Sequence, residues 1–330
     1  MAITMESIKT LRAMTGAGLA DVKKALTEAD GDMDRAKEIL RERGQAIAAK
    51  RSDRETSNGC VLVKSENGFS AMIALKCETD FVANGADYIK LTQEILDAAV
   101  AAKAKTLDEV ANLTLADGQI VSAAVTERSG VTGEKMELDG YLFIEGENVS
   151  VYNHMNKNVL CTMVQTNKPA EEQAHAIAMQ VAAMKPVALN PESVDPKIVE
   201  EEYNVAVEKS KQEQVQKAVE NALKKAGINP AHVDSEDHME SNMTKGWITA
   251  EDVAKAKEII ATVSAEKAAS LNMQMIENIA KGRVNKFYKD SCLLNQEFIQ
   301  DSKMTVTDYL KSADKDLTVV DFKRFSLQAD

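Results

Sequence analysis

The chain has 330 residues and a net charge of −12, with 44% hydrophobic and only 4% aromatic residues. This length predicts two or three domains with a sizeable core. The acidic balance argues against direct binding to nucleic acid, which requires a clustered basic surface. No apolar run approaches the roughly 20 residues of a membrane span, and the N-terminus lacks the pattern of a signal peptide. Four scattered cysteines predict buried thiols in a reducing compartment. We therefore expect a helix-rich cytoplasmic protein whose partners are proteins.

The N-terminal segment, residues 1–54, predicts three short helices and a linker. The first helix ends at Gly16-Ala17-Gly18, the second begins at Leu19, and Asp32 is a favourable N-cap for the third. Gly44 is a favourable residue for ending that third helix. The glycine pair follows a helix and lacks the Lys-Ser/Thr ending of a phosphate loop, so a tight turn is the better interpretation. Short helices are marginal alone, so the three must pack together. The pattern resembles ubiquitin-associated domains, small modules that bind other proteins.

A strand-to-helix corner follows, and it is the most informative stretch of the chain. A hairpin turn at Glu66-Asn67-Gly68 joins two strands, and an apolar run ending at Cys77 predicts a buried strand. Thr79 or Asp80 is then the natural N-cap of a helix that continues to about residue 100, and Asp80 is the favoured cap. Phe81 falls at the start of that helix. Its ring is either a lid on the core or a probe inserted into another molecule.

A second copy of this pattern distinguishes the two interpretations. Strand-like runs at 140–144, 149–152 and 158–164 lead to Asn167, which stands where Asp80 stood and is a candidate helix cap. The next residue in this copy is Lys168, in the place of Phe81. If Phe81 only closed the core, its counterpart should be apolar as well. The difference favours a functional ring.

The remaining sequence predicts mainly helices. Residues 107–133 have helical periodicity, and two long charged helices, at 197–226 and 249–282, predict an antiparallel pair. We expect an α+β fold with a three-helix domain, a core of two similar subdomains with antiparallel sheets, and a helical-hairpin protrusion. The last segment contains a strand candidate at 317–325. The predicted segments are a three-helix domain with linker at 1–54, core subdomains at 55–139 and 140–200, the hairpin at 201–281, and a C-terminal module at 282–330 that completes the second subdomain.

Catalytic chemistry has weak support in the sequence. His232 and His238 frame the best cluster of metal-capable side chains, but in a polar loop such groups are usually solvated. His175 is expected at a helix start and His154 in an exposed turn. No Gly-x-Ser-x-Gly nucleophile motif occurs, and no cysteine neighbours a histidine. We therefore expect no enzyme activity, no cofactor and no metal.

Four stretches together resemble the bacterial translation elongation factor Ts family, in the same order and over nearly the whole chain. The stretches are Thr15-Gly16-Ala17-Gly18-Leu19-Ala20-Asp21-Val22-Lys23-Lys24-Ala25-Leu26, Thr79-Asp80-Phe81-Val82-Ala83-Asn84, Ala178-Met179-Gln180-Val181-Ala182-Ala183-Met184-Lys185-Pro186 and Gly282-Arg283-Val284-Asn285-Lys286-Phe287-Tyr288. The resemblance implies guanine-nucleotide exchange on elongation factor Tu, in its GDP-bound and nucleotide-free states. The region 211–265 is longer than the family's usual hairpin. A homodimer through that hairpin is therefore an open expectation.

The resemblance also implies roles for individual residues. Phe81 would insert its ring between helices of elongation factor Tu. Asp80, Val82 and Ala83 would help displace the elements that hold magnesium. His154 would lie near the phosphate-binding loop of the partner. The N-terminal residues expected to contact the GTPase domain are Arg12, Leu19, Val22 and Lys23.

Two alternatives to an exchange factor are retained. The N-terminal module alone would suit a protein-binding adaptor of the ubiquitin-associated type, without exchange activity. A metal-dependent enzyme that uses His232 and His238 is a more distant alternative.

Overall fold

The structure is a computed structural model that describes residues 3–327, and it confirms an α+β fold with antiparallel sheets. The helices are α1 (Met5–Thr15), α2 (Leu19–Glu28), α3 (Met33–Lys50), α4 (Asp80–Ala83), α5 (Ala86–Ala102), α6 (Leu107–Ala111), α7 (Val121–Thr132), α8 (Glu171–Met184), α9 (Pro196–Lys225), α10 (Glu236–Thr244), α11 (Ala250–Ala269), α12 (Met273–Ser291) and α13 (Val306–Ala313). The strands are β1 (Asn58–Glu66), β2 (Phe69–Cys77), β3 (Met136–Glu145), β4 (Val149–Asn153), β5 (Leu160–Thr166), β6 (Glu297–Phe298), β7 (Asp301–Thr305) and β8 (Val319–Ser326).

The chain forms two compact units. The core unit contains the described residues up to Leu189 and those from Glu297 onward, and the helical unit is Asn190–Gln296. No helix within residues 3–327 is long and apolar enough to cross a membrane.

Helices α1, α2 and α3 form a three-helix module at the start of the core unit. A capping box between Thr4 and Ser7 begins α1, and Gly16, with φ of +68°, ends it. The apolar faces meet in a small core of buried residues, namely Ile8, Leu11, Ala17, Val22, Ala25, Leu26, Ala29, Ala36 and Ile39. Asp32 caps α3 as predicted, accepting a hydrogen bond from the Arg35 N–H at 2.9 Å.

The predicted end of the third helix at Gly44 is wrong. Helix α3 continues to Lys50, and Gly44 lies inside it, buried against α7. A Cβ placed on Gly130 of α7 would lie 2.1 Å from the Gly44 Cα atom, so the two helix backbones touch at this crossing. Gly44 therefore serves the packing of the three-helix module on the rest of the core unit.

The first antiparallel sheet has the strand order β1-β2-β3. The predicted turn at Asn67-Gly68 is confirmed, because both residues have positive φ, as a tight two-residue hairpin requires. One face of the sheet packs against α5, α6 and α7 in a core cluster of buried apolar side chains. The strand at 140–144, which was assigned to the second copy, instead belongs to β3 and pairs with β2. Alternation along a strand predicts that a strand forms, but not which sheet it joins.

The second antiparallel sheet has the order β4-β5-β8, so the C-terminal strand predicted at 317–325 completes it. Helix α8 packs on this sheet. The first and second sheets share a buried layer, in which Cys161 and Met163 of β5 pack with Val61 and Met72 of the first sheet. The predicted helix at 107–133 is two helices, α6 and α7, separated by a turn with a bridge between Thr114 and Ile120.

The helical unit differs in detail from the predicted hairpin. Helix α9 packs against both α11 and α12, because the predicted long second helix is interrupted at Ser270-Leu271-Asn272, and Asn272 caps α12. The polar loop expected before Trp247 contains a helix, α10, which Ser235 caps. A separate small core joins the ends of α9 and α11 to α10 through Leu223, Ile228, Val233, Met239, Ile248 and Ala256.

Candidate functional site

The candidate site is the Phe81 corner, which we define as residues 78–84 between β2 and α5. Thr79, with φ of −124° and ψ of 155°, is the N-cap of the short helix α4, and its hydroxyl accepts a hydrogen bond from the Val82 N–H at 3.4 Å. Asp80 is the first residue of α4, so the favoured cap is wrong and the other candidate, Thr79, is correct. The predicted single helix to about residue 100 is also interrupted, because α4 ends at Ala83 and α5 begins at Ala86. At the other end of the turn the Asn84 side chain donates to the Asp80 carbonyl at 2.8 Å.

The side chains of the corner face two environments. Phe81 is 87% exposed, which excludes the lid on the core, and Asp80 is exposed beside it. Val82 is half-buried and packs on the core cluster, whereas Ala83 is buried within that cluster. The Ala83 methyl group therefore anchors the turn in the core, and its predicted role in displacing the magnesium-holding elements of a partner stays a prediction. Asp80, Phe81 and part of Val82 form the accessible surface.

Charged groups attach the corner to neighbouring segments. The Glu78 carboxylate accepts the Lys135 N–H at 2.7 Å and the Arg51 guanidinium at 3.0 Å. These contacts lower the pKa of Glu78 from its ordinary value, and the hydrogen bond from the Lys135 N–H has the largest effect. The Glu134 carboxylate accepts the Thr79 N–H at 3.0 Å and the Thr79 hydroxyl at 2.6 Å. Glu134 and Lys135 therefore both hold the corner, Glu134 through Thr79 and Lys135 through Glu78.

The second copy of the corner is built differently. Lys168 pairs with Asp314 at 2.9 Å, and this contact lowers the pKa of Asp314. Asn167 does not cap a helix as predicted. Its side chain instead exchanges hydrogen bonds with the chain at Asp316 and Thr318, while α8 begins later, after Ala170. The second copy thus uses these two residues to fasten the C-terminal segment.

The predicted N-terminal contact residues do not share one environment. Arg12, Leu19 and Lys23 are exposed on the three-helix module. Val22 is 0% exposed and lies in the core of that module, where it offers no surface to a partner in this conformation, and its predicted contact stays a prediction. Leu19 is one of the large apolar side chains that stay exposed, at 46%.

His154 lies in a short helical turn directly after β4 and is half-buried. The Tyr152 hydroxyl is 3.0 Å from its Nδ1 atom, and the His175 ring meets the Tyr152 ring edge-on, with centroids 5.6 Å apart. Tyr152 therefore orients His154 on the second sheet. The structure brings Asp80, Phe81 and Val82 together in one turn, and places the N-terminal residues and His154 on other elements of the core unit.

The two histidines of the metal hypothesis have other partners. The His232 ring lies against Trp247 with centroids 5.6 Å apart, and His238 Nδ1 is 2.5 Å from an Asp234 carboxylate oxygen. Among residues 3–327 no group of three or more histidine, cysteine or acidic side chains is arranged to hold a metal ion. The cluster carries no argument for a metal-dependent enzyme.

Comparison with known proteins identifies the family. The family model described as elongation factor TS matches residues 78–227 and 222–329, beginning at the corner. Proteins called Elongation factor Ts from Bacteroides fragilis and Parabacteroides distasonis are 67% and 64% identical to this chain, and one from Porphyromonas gingivalis is 41% identical, each over 100% of both chains. The chain belongs to the elongation factor Ts family. The role of elongation factor Ts is nucleotide exchange on elongation factor Tu in translation elongation.

The residues that hold the Phe81 corner in place were not found by sequence reasoning. Glu134 is 55 positions from Thr79 in the chain, and Arg51 is 27 positions from Glu78. A lone glutamate after a glycine, or an arginine in a polar linker, is most often a solvated charge, so the local sequence contains no signal for either contact.

Proposed function

We propose that this chain promotes GDP release from elongation factor Tu by inserting Phe81 into the GTPase, while Asp80 and Val82 disturb the elements that hold magnesium. The observation that carries the proposal is the exposed ring on a tethered turn, where an aromatic anchor is available to a partner. Buried aromatic anchors dominate many protein–protein interfaces once they are covered. We infer that the chain binds both GDP-bound and nucleotide-free elongation factor Tu, since exchange requires both states.

The proposed mechanism requires no chemistry on the chain itself. Elongation factor Tu holds its nucleotide through backbone amides around the phosphates and through magnesium. A factor that binds better to the empty GTPase weakens nucleotide binding, and linkage requires the nucleotide to weaken the factor by the same ratio. We therefore propose an exchange factor that is not an enzyme and needs no cofactor, acting in the cytoplasm, where translation takes place.

The remaining contacts are assigned by exposure. Arg12, Leu19 and Lys23 are proposed to bind the GTPase domain, and Ala83 and Val22 to support this surface from within the core. His154, oriented by Tyr152, is proposed to lie near the phosphate-binding loop. A homodimer through the helical unit is a separate proposal, which sedimentation at several concentrations would test.

The proposal is tested by loading elongation factor Tu with fluorescent GDP and timing its release. The wild-type chain should accelerate release. Phe81→Ala should reduce the acceleration about 30-fold or more, corresponding to about 2 kcal/mol for a central anchor. Its unfolding free energy should change by no more than about 0.5 kcal/mol, because the ring is exposed.

Ile120→Ala is the matched control, since it removes another exposed apolar side chain, at 47%, away from the corner. It should leave the release rate unchanged. A wild-type chain that binds elongation factor Tu without accelerating release would instead favour the adaptor alternative.

A further inference from the structure

The backbone pairing of the first sheet ends immediately before the Phe81 corner. Strands β2 and β3 pair in antiparallel register as far as Cys77 opposite Met136. The next residues on each strand are Glu78 and Lys135, then Thr79 and Glu134. Beyond the last backbone pair, side chains replace main-chain acceptors: Glu78 accepts the Lys135 N–H at 2.7 Å, and Glu134 accepts the Thr79 N–H at 3.0 Å. Each segment thus gives a carboxylate to a backbone amide of the other.

Glu134 makes the contact that reaches furthest toward Phe81. One carboxylate oxygen accepts the Thr79 N–H, and the other accepts the Thr79 hydroxyl at 2.6 Å. The same hydroxyl oxygen accepts the Val82 N–H and so caps α4. Because a hydroxyl has one proton and two lone pairs, these bonds are compatible and fix its rotamer. Hydrogen bonds to a charged acceptor are also stronger than neutral ones.

The short helix depends on such contacts. Helix α4 has 4 residues, too few to be stable alone, since nucleating a helical turn is unfavourable. The Ala83 methyl group anchors one side of the turn in the core, but the side that carries Phe81 is exposed. The direction of the ring therefore depends on the backbone of residues 79–82, which Thr79 and its acceptor define.

We propose that Glu134 is a positioning residue for Phe81, which preorganises the corner so that the exposed ring meets elongation factor Tu in a fixed direction. The proposal rests on the proposed function of Phe81. Glu134 follows the end of α7 at Thr132, and α7 crosses α3 at Gly130 and Gly44. Arg51, directly after α3, binds Glu78. The three-helix module is therefore connected to the corner in two ways: Arg51 binds Glu78, and α3 packs on α7, which leads to Glu134.

The first experiment measures the corner without any partner or nucleotide. Trp247 is the only tryptophan of the chain, so Phe81→Trp combined with Trp247→Phe places a single indole at the corner. Adding Glu134→Ala should lower the fluorescence anisotropy of this indole. Glu134→Gln should restore it, because the amide keeps an acceptor for the Thr79 N–H and a donor to the hydroxyl oxygen. Equal anisotropy in the Ala variant and the parent would overturn the proposal.

The second experiment measures nucleotide release in the otherwise wild-type chain. Glu134→Ala should raise the concentration required for half-maximal GDP release roughly tenfold, since the corner must then be ordered on binding. For Glu134→Gln this concentration should stay within about twofold of the wild-type value. Glu145→Ala, which removes another glutamate ion pair of the first sheet, with Lys105, should have no effect.

The two experiments separate the two proposals. If the wild-type chain fails to release GDP, the proposed function fails, and the anisotropy still reports whether Glu134 orders the corner. If the Ala and Gln variants are equally impaired in release, or neither is impaired, Glu134 is not a positioning residue.

Discussion

Leu19 and Val22 lie about one turn apart on α2 but in opposite environments. Both belong to the stretch that resembles the elongation factor Ts family, and both are apolar, so their types alone do not separate a contact from a core residue. The structure leaves Leu19 46% exposed and Val22 0% exposed. An exposed leucine can give its apolar area to a partner, whereas a buried valine already stabilises the fold.

The two residues should therefore respond oppositely to truncation. Val22→Ala should lower the unfolding free energy of the three-helix module by about 2 kcal/mol, from lost apolar burial and the cavity left behind. Leu19→Ala should change it by no more than about 0.5 kcal/mol and weaken binding to elongation factor Tu by about 1 kcal/mol. Chemical denaturation and a binding titration measure the two quantities. Weak binding by Val22→Ala in a fully folded module would contradict this assignment.

The Phe81 corner shows how far single residues can be interpreted from sequence. The functional interpretation of Phe81 rests partly on its counterpart Lys168 and mainly on the resemblance to the elongation factor Ts family, and the exposure of the ring agrees with it. Glu134 was missed because the sequence does not indicate which segment will lie beside Thr79. A cap is a local property, but the acceptor that fixes the cap depends on the register of β2 and β3.

At the scale of elements, the crossing of α3 and α7 connects the three-helix module to the first sheet. A Cβ atom on Gly130 would lie 2.1 Å from the Gly44 Cα atom, but one on Gly44 would lie 3.3 Å from the Gly130 Cα atom. The first distance is impossible without moving a backbone, whereas the second requires a shift of a few tenths of an ångström. The two glycines are therefore unequal.

Substitution should reveal this inequality. Gly130→Ala should lower the unfolding free energy by about 2 kcal/mol or more, because the helices must separate. Gly44→Ala should cost less, because a Cβ there requires only a small shift, and the higher helix propensity of alanine, about 1 kcal/mol, offsets part of that smaller strain. Chemical denaturation followed by circular dichroism measures both.

A matched control for the glycine prediction lies in the helical unit. Gly282 is inside α12, and an added Cβ there has no atom within 4 Å. Gly282→Ala should stabilise the helical unit by about 0.5–1 kcal/mol through helix propensity alone. A Gly130→Ala variant as stable as wild type would show that the crossing adjusts without loss.

Elements defined by local signals were predicted well, and elements defined by distant partners were not. The Asn67-Gly68 turn and the Asp32 cap depend on a few neighbouring residues, and both are as expected. The end of α3 was misplaced because Gly44 has a packing partner on α7, 86 residues later by numbering, at Gly130. The break before α12 was missed because serine and asparagine within a charged helix are weak signals.

At the scale of the whole molecule, four buried thiols are distributed over the two compact units. Cys60, Cys77 and Cys161 belong to the core unit and Cys292 to the helical unit, and all four are free and buried. Burial raises the pKa of the Cys60 and Cys161 thiols from 9.0 to about 12. At pH 8 these native thiols are therefore both inaccessible and protonated, and they react only after the surrounding structure opens.

Thiol labelling should therefore report the opening of each unit separately. A disulfide reagent at pH 8 should find no rapidly reacting thiol in the native chain and 4 after denaturation. Pulse labelling at intermediate denaturant, with mass spectrometry of the peptides, should give one midpoint for the three core cysteines and a different one for Cys292. Each compact unit has its own internal packing, so one cooperative transition for both is not required.

The raised thiol pKa values also predict how the stability of the core unit changes with pH. Since the folded thiol pKa values lie above the unfolded value of 9.0, their contribution to stability is complete below that pH and is lost as the pH rises toward 12. The core unit should therefore lose stability over this alkaline range, and Cys60→Ser with Cys161→Ser should lose less of it. Cys292→Ser should leave the alkaline loss of the core unit unchanged. Rapid labelling of Cys161 in the native chain at pH 8 would show that the buried layer between the two sheets opens readily.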